Sequence, residues 1–151
     1  LQHDDLGAEA ENVYFPAINS AYNARFPEYD FTVEYKESLE GKIQSVTGLG
    51  HDRLEEMARE ADVIGVTMFI LREYSVQAAR EQMEALPPDF SLAGILDISA
   101  ALVARPDLMF NTERYAPMIW TSGCQTLWEH ANFHFEDMAT TLCSTVGFIT
   151  I

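Results

Sequence analysis

With 151 residues, the chain has the size of one ordinary domain and can bury an apolar core without disulfides. Its 48% hydrophobic content excludes a disordered tail, and 24 acidic against 9 basic side chains give a net charge of −15. Nucleic acids and anionic membrane surfaces bind basic surfaces, so this charge argues against both as partners. We expect a single acidic domain over residues 1–151.

No apolar run approaches the ~18 residues needed to cross a bilayer, and the first residues lack the basic and apolar pattern of a leader. We therefore expect a cytoplasmic protein without a membrane partner. The two cysteines, Cys124 and Cys143, flank a predicted helix that would hold them about 28 Å apart at ~1.5 Å per residue. Both are expected to be free thiols, since a disulfide needs Cα atoms within ~7 Å of each other.

Helices and strands alternate along the first part of the chain. Apolar residues at helical spacing predict a helix over residues 13–26. The sequence Asp52-Arg53-Leu54-Glu55 is related to a capping box and predicts the start of a second helix. A third helix is predicted over 76–86, where two prolines stop it. Strands are predicted between these helices, over residues 31–36 and 63–70.

The remaining part of the chain continues this alternation. Strands are predicted over residues 92–98, 116–121 and 146–151, and a helix is predicted from Gly123 to about Leu142. Residues 103–115 have the least regular pattern and are expected to form a loop or lid.

Three of the predicted strands are nearly continuous apolar runs, as is typical of strands buried on both faces of a parallel sheet. We therefore expect a three-layer α/β/α sandwich, Rossmann-like or flavodoxin-like, with a mostly parallel sheet. The strand over 146–151 is expected in the main sheet, beside 31–36 and 63–70, with its end close to Leu1. A plain edge strand is the alternative. Ligands of such sheets bind at the carboxyl ends of the strands.

The predicted last helix carries a candidate metal site. His130, His134 and Asp137 are spaced so that all three lie beside one edge of its apolar stripe. Two imidazoles one turn apart, with a carboxylate in the next turn, form a ligand set that suits Zn or Fe(II). The alternative is a pair of half-covered histidines without a metal.

The first residues form a second candidate cluster, His3-Asp4-Asp5. If the strand over 146–151 ends nearby, His3 joins the metal ligands, and Asp5 serves as a metal ligand or as a general acid or base. A frayed polar terminus is the alternative.

A third candidate site lies in the sequence Thr121-Ser122-Gly123-Cys124, at a predicted turn from strand to helix. A helix N-terminus lowers the pKa of a nearby thiol, so Cys124 is a candidate nucleophile. Thr121, Ser122 and Gly123 can instead bind an anionic cofactor group at the same helix N-terminus.

A family resemblance covers residues 60–105. The segment Ala61-Asp62-Val63-Ile64-Gly65-Val66-Thr67-Met68-Phe69-Ile70, the helix after it and the segment Ser99-Ala100-Ala101-Leu102-Val103-Ala104-Arg105 resemble the N-terminal region of magnesium chelatase and cobaltochelatase large subunits. The resemblance contains no catalytic motif and implies a shared binding-domain fold rather than the metal-insertion reaction.

Three functions remain open at this point. The first is a ligand-binding or regulatory module for a small molecule, related to tetrapyrroles through the resemblance, or for a protein partner. The second is a small metal-dependent enzyme built on the histidines and carboxylates above. The third is a structural subunit of a larger assembly, including a homo-oligomer, which the acidic surface and apolar edge strands would suit.

Overall fold

A long helical rod opens the fold in the computed structural model, which describes residues 1–29, 31–33, 37–72, 74–109, 118–127, 134–135 and 142–149. The rod consists of α1 (Leu6–Glu9), a π-helical segment (Ala10–Tyr14) and α2 (Phe15–Arg25). Asp5 begins it, because its Oδ1 accepts the backbone N–H of Ala8 at 2.8 Å. Its Oδ2 accepts the N–H of Gly41 at 3.0 Å, so this side chain both caps the helix and ties it to the following loop.

Short elements follow, with two 3₁₀ turns at Met83–Ala85 and Pro106–Met109. In chain order they are β1 (Ile43–Ser45), α3 (His51–Glu60), β2 (Gly65–Arg72), α4 (Val76–Gln82), β3 (Phe90–Leu92), α5 (Ile95–Ala104), β4 (Met118–Trp120), β5 (Cys124–Thr126), β6 (His134–Phe135) and β7 (Leu142–Ile149). The predictions of a helix after Asp52 and of a strand over 63–70 are confirmed by α3 and β2. None of the described helices is long and apolar enough to cross a membrane.

The strands form two sheets that are mostly antiparallel. β1 pairs antiparallel with β5 in the smaller sheet. The larger sheet has the order β2-β7-β4-β6, with β3 also paired to β7. Among the described strands, β4 and β7 are the one pair in it that runs parallel. The predicted Rossmann-like or flavodoxin-like sandwich with a mostly parallel sheet is therefore wrong. β7 lies beside β2, but in antiparallel register, from Gly65 opposite Ile149 to Arg72 opposite Cys143.

Two segments were assigned the wrong secondary structure, and these two errors led to the wrong prediction of a mostly parallel sheet. The apolar run over 92–98 leaves its strand after Leu92 and continues as α5, which begins at Ile95. The helix predicted from Gly123 is also wrong, because β5, β6 and the start of β7 lie within it. The strand predicted over 31–36 has no regular structure at 31–33, and residues 34–36 are outside the described ones.

Helix α5 lies at the centre of the core. Ile95, Ile98 and Leu102 on this helix are at most 1% exposed. They belong to one apolar cluster that also includes Ile18 of α2 and Ile119 of β4. Burying a side chain of this size contributes about 1.5–3 kcal/mol. The packing around α5 therefore fixes where the N-terminal helices and the larger sheet meet.

Gly7 gives a direct test of how closely the first helix packs. A Cβ at this position would lie 1.8 Å from the carbonyl oxygen of Leu39, which is backbone and cannot rotate away. We expect Gly7→Ala to lower the free energy of unfolding by about 2 kcal/mol or more, since overpacking of this kind costs ~1–3 kcal/mol and sometimes more. Urea denaturation followed by circular dichroism measures the loss.

Ser20→Ala, at an exposed position of α2, is the matched control and should change stability by less than about 0.5 kcal/mol. Equal effects of the two substitutions would show that Gly7 does not pack against Leu39.

Candidate functional site

A large cavity lies between the π-helical segment, α3, β2 and α5. Its volume is about 1080 Å³. Ile64 and Val66 line it and are 82% and 55% exposed, so the cavity opens to solvent along the start of β2. Most of the lining is apolar and includes Val13, Leu54, Val63, Phe69, Leu96 and Leu108.

Asp97 supplies a polar group to this apolar wall. It lies in the first turn of α5, and its Oδ1 accepts the backbone N–H of Gly94 at 2.8 Å, which caps the helix. Its Oδ2 is buried and has no hydrogen-bond partner among the described residues. Burial raises the pKa of Asp97 from 3.8 to about 7. Asp97 thus lines the cavity, but its Oδ2 atom is shielded from the cavity and receives no hydrogen bond from the described residues.

Glu9 and Tyr14 bring further polar groups to the same cavity. Both line it from the N-terminal rod, one at each end of the π-helical segment. Glu9 is only 2% exposed, and its Oε2 accepts the backbone N–H groups of Gln2 and His3 at 3.1 and 2.8 Å. Burial and the negative charges of Glu9 and Asp97 raise the pKa of the Tyr14 hydroxyl. Val13 and Tyr14, both in the π-helical segment, line the cavity next to each other.

A buried polar network lies behind Asp97, with His51 at its centre. The Nδ1 atom of His51 is 2.8 Å from the hydroxyl of Ser45, and that hydroxyl donates to Glu55 Oε2 at 2.7 Å. The Ser45 oxygen must then accept from Nδ1, which assigns the proton of the neutral ring to Nδ1. The other ring nitrogen, Nε2, accepts the N–H of Leu96 at 3.4 Å and lies 3.7 Å from Asp97 Oδ1.

Cys124 packs against this histidine. Its sulfur lies 3.4 Å from His51 Nδ1 and accepts the N–H of Ile95 at 3.4 Å. Both side chains are fully buried. Burial raises the pKa of the Cys124 thiol and lowers that of His51 from 6.5 to about 4, so the pair stays neutral at pH 7. A reactive pair of thiolate and imidazolium is therefore not formed in this arrangement.

The other residues of the predicted anion site form a buried turn. Thr121 and Ser122 are fully buried, and a Cβ on Gly123 would lie 2.2 Å from the carbonyl oxygen of Leu92. The guanidinium of Arg80 donates to the carbonyl oxygens of Ser122 and Cys124, each at 3.0 Å. β5 rather than a helix follows this turn, so the helix N-terminus on which both predictions rested is absent. The cofactor role of Thr121, Ser122 and Gly123 and the catalytic role of Cys124 stay predictions without that support.

Only part of the predicted metal centre lies within the described residues. His130 and Asp137 lie outside the described residues, and His134 lies in β6 rather than on a helix. His3 contributes a backbone N–H to Glu9, and the carboxylate of Asp5 is occupied as a helix cap. The described part of the chain contains no group of three or more His, Cys, Asp or Glu residues that could hold a metal ion. The expectation of a metal-binding protein with Zn or Fe is therefore wrong for that part.

Sequence reasoning missed Glu9, Tyr14, His51 and Asp97. Two of them carried a usable signal. The spacing of Glu9 to its neighbours gives no signal of its burial, and its one usable signal is the apolar composition of the segment around it, Leu6-Gly7-Ala8 and Ala10. Asp97 stands three residues after Gly94, which is the spacing of a helix cap.

Comparison of the chain with protein-family models, curated proteins and solved structures finds no match in any of the three. The resemblance to chelatase large subunits stays a prediction. The link to tetrapyrroles came through that resemblance alone, and none of the three comparisons supports it.

The raised pKa of Asp97 predicts a specific pH dependence of stability. The folded protein keeps a proton on Asp97 up to about pH 7, whereas the unfolded chain loses it near pH 3.8. The stability that Asp97 contributes is therefore full below pH 3.8 and is lost as the pH rises to 7. We expect Asp97→Asn to gain ~2–4 kcal/mol relative to the wild type between pH 4 and pH 8, measured by urea denaturation.

Asp89→Asn, at an exposed position, removes the same charge and should leave the difference from the wild type independent of pH. If Asp97→Asn behaved like this control, the side chain would titrate as an ordinary surface carboxylate, and the burial described above would be wrong.

Proposed function

We propose that this protein binds a small organic molecule in the cavity between the π-helical segment, α3, β2 and α5. The single observation that carries the proposal is a large open cavity with mostly apolar walls and a few polar residues in its lining. Ligand pockets typically combine mostly apolar walls with a few convergent polar groups, and they have volumes of about 300–1,000 Å³. At about 1080 Å³, this cavity is slightly larger than that range.

The apolar lining supports binding through the hydrophobic effect. Each Å² of apolar ligand surface that leaves water contributes roughly 25 cal/mol. The exposed side chains of Ile64 and Val66 extend the apolar surface to the opening of the cavity, where a ligand would first make contact.

Polar groups in the lining support binding because they can orient the ligand. Glu9 and Tyr14 line the cavity from the N-terminal rod, and Asp97 lines it from α5. The Oδ2 atom of Asp97 has almost no accessible surface, so a ligand would not contact this atom in the present arrangement. Ligand binding would therefore combine a non-specific apolar contribution with directional contacts from a few polar groups.

Dye binding tests this function. Nile red is neutral and fluoresces strongly in apolar surroundings, so its titration into the wild-type protein should give a saturable increase with one dye per chain. Ala100 of α5 lines the cavity and is exposed, which leaves room for a larger side chain without disturbing the core. Ala100→Phe should weaken dye binding by about tenfold or more, since the ring would occupy the space of the ligand.

Ala24→Phe places the same ring on an exposed position of α2, away from the cavity, and is the matched control. It should bind the dye as the wild type does. Binding that survives Ala100→Phe unchanged would locate the dye on another apolar surface, and absence of saturable binding to the wild type would contradict the proposal as well.

A further inference from the structure

The segment that contains β2 presents apolar side chains to solvent. Ile64, Val66 and Ile70 are 82%, 55% and 52% exposed. Ile64 and Val66 are separated by one residue, so they lie on the same face of an extended chain. Apolar side chains that are exposed together, unlike single ones, indicate an interaction surface.

β2 also lies at one end of the strand order in the larger sheet. Among the described strands its one pairing partner is β7, in continuous register from Gly65 to Met68 and with a register shift between Met68 and Leu71. A strand with a neighbour on one side offers the N–H and C=O groups of its other side to another chain. Residues 62–72, called the β2 edge below, therefore combine available backbone groups with exposed apolar side chains.

The sequence of the β2 edge is complementary to itself in the antiparallel direction. It has Asp62 at one end, Arg72 at the other and no charged residue between them. If two copies pair antiparallel about a two-fold axis at Thr67, Asp62 of one copy lies opposite Arg72 of the other. Ile64 then lies opposite Ile70, and Thr67 lies opposite its own equivalent. Opposite charges and pairs of threonines across two strands both stabilise a sheet.

The charge of the chain makes this register selective. Each copy has a net charge of −15, so two copies repel each other unless their contact avoids acidic residues or pairs them with basic ones. The axis at Thr67 does both over the β2 edge. Moving the axis by one residue in either direction separates Asp62 from Arg72 at both ends of the pairing.

We propose that the protein forms a two-fold symmetric dimer in which the β2 edges of two copies pair antiparallel about Thr67. The larger sheets of the two copies then continue into one sheet across the interface, and each copy covers the exposed apolar side chains of the other. The dimer does not depend on ligand binding in the cavity.

Sedimentation velocity over a series of protein concentrations, at physiological ionic strength, tests the dimer. The wild type should change from monomer to dimer as the concentration rises. Val66→Asp places a carboxylate next to the two-fold axis and should weaken dimerisation by about tenfold or more. Leu127→Asp is the matched control, because Leu127 is 56% exposed and outside the β2 edge, and it should leave dimerisation unchanged.

Reversal of the two terminal charges tests the register. Asp62→Arg alone places arginines opposite each other, and Arg72→Asp alone does the same with aspartates, so each should weaken the dimer by about tenfold. The double variant restores opposite charges and should dimerise like the wild type. General repulsion predicts a different result, because Asp62→Arg lowers the net negative charge and would then strengthen the dimer. Circular dichroism confirms that each variant is folded.

The outcomes decide the proposal. A wild type that stays monomeric at every concentration contradicts it. A dimer that Val66→Asp and Leu127→Asp weaken equally also contradicts it, and so does a dimer that Asp62→Arg strengthens or that the double variant fails to restore. Nile red binding is measured separately, so failure of the dimer leaves the binding function in place.

Discussion

The close approach of Gly94 to the pair formed by His51 and Cys124 is the constraint on which the rest of the site depends. A Cβ at position 94 would lie 2.2 Å from His51 Cδ2 and 2.6 Å from the Cys124 sulfur, so only glycine fits. This contact brings the start of α5 against α3 and β5. Once α5 begins at this point, Asp97 lies one turn away with its carboxyl group in the cavity wall.

Sequence patterns predicted the elements that have strong local signals. α3 has a marked difference between its apolar and charged faces. β2 is a mostly apolar segment in which half of the residues are β-branched or aromatic. The apolar run over 92–98 has no clear local signal, because a short apolar run is compatible with a buried strand or with a buried helix. Whether it forms a strand or a helix depends on the contact of Gly94 with His51 and Cys124. His51 lies 43 residues before Gly94 and Cys124 lies 30 residues after it, so no local sequence pattern contains that contact.

The candidate site was missed for a related reason. Metal and nucleophile motifs are recognised by spacing within one element, and the search for them led to His130, His134 and Cys124. The cavity instead combines Glu9 from the N-terminal rod with Asp97 from α5, nearly ninety residues later. Sequence spacing cannot show that these two carboxyl groups share one space. Burial of Cys124 also reversed its expected chemistry, because desolvation raises the pKa of a thiol that a helix N-terminus would have lowered.

The shifted pKa values of Asp97 and His51 have opposite effects on the stability of the fold at acid pH. Asp97 contributes more stability as the pH falls from 7 to 4, whereas His51, buried neutral, costs stability as the pH falls from 6.5 to about 4. The two contributions offset each other over the range they share. The buried network therefore holds a carboxyl and an imidazole 3.7 Å apart without making the fold strongly sensitive to pH between 4 and 6.5.

That balance does not explain why the residue is an aspartate. The structural task of position 97 is to accept the N–H of Gly94, and an asparagine oxygen would do this without a titrating group. Aspartate instead has a second oxygen, which is buried and receives no hydrogen bond from the described residues. Its ionised form is also disfavoured by burial. Both properties lower the stability of the protein at neutral pH. Position 97 therefore carries a carboxyl group that exceeds what its helix requires and that packing alone does not explain.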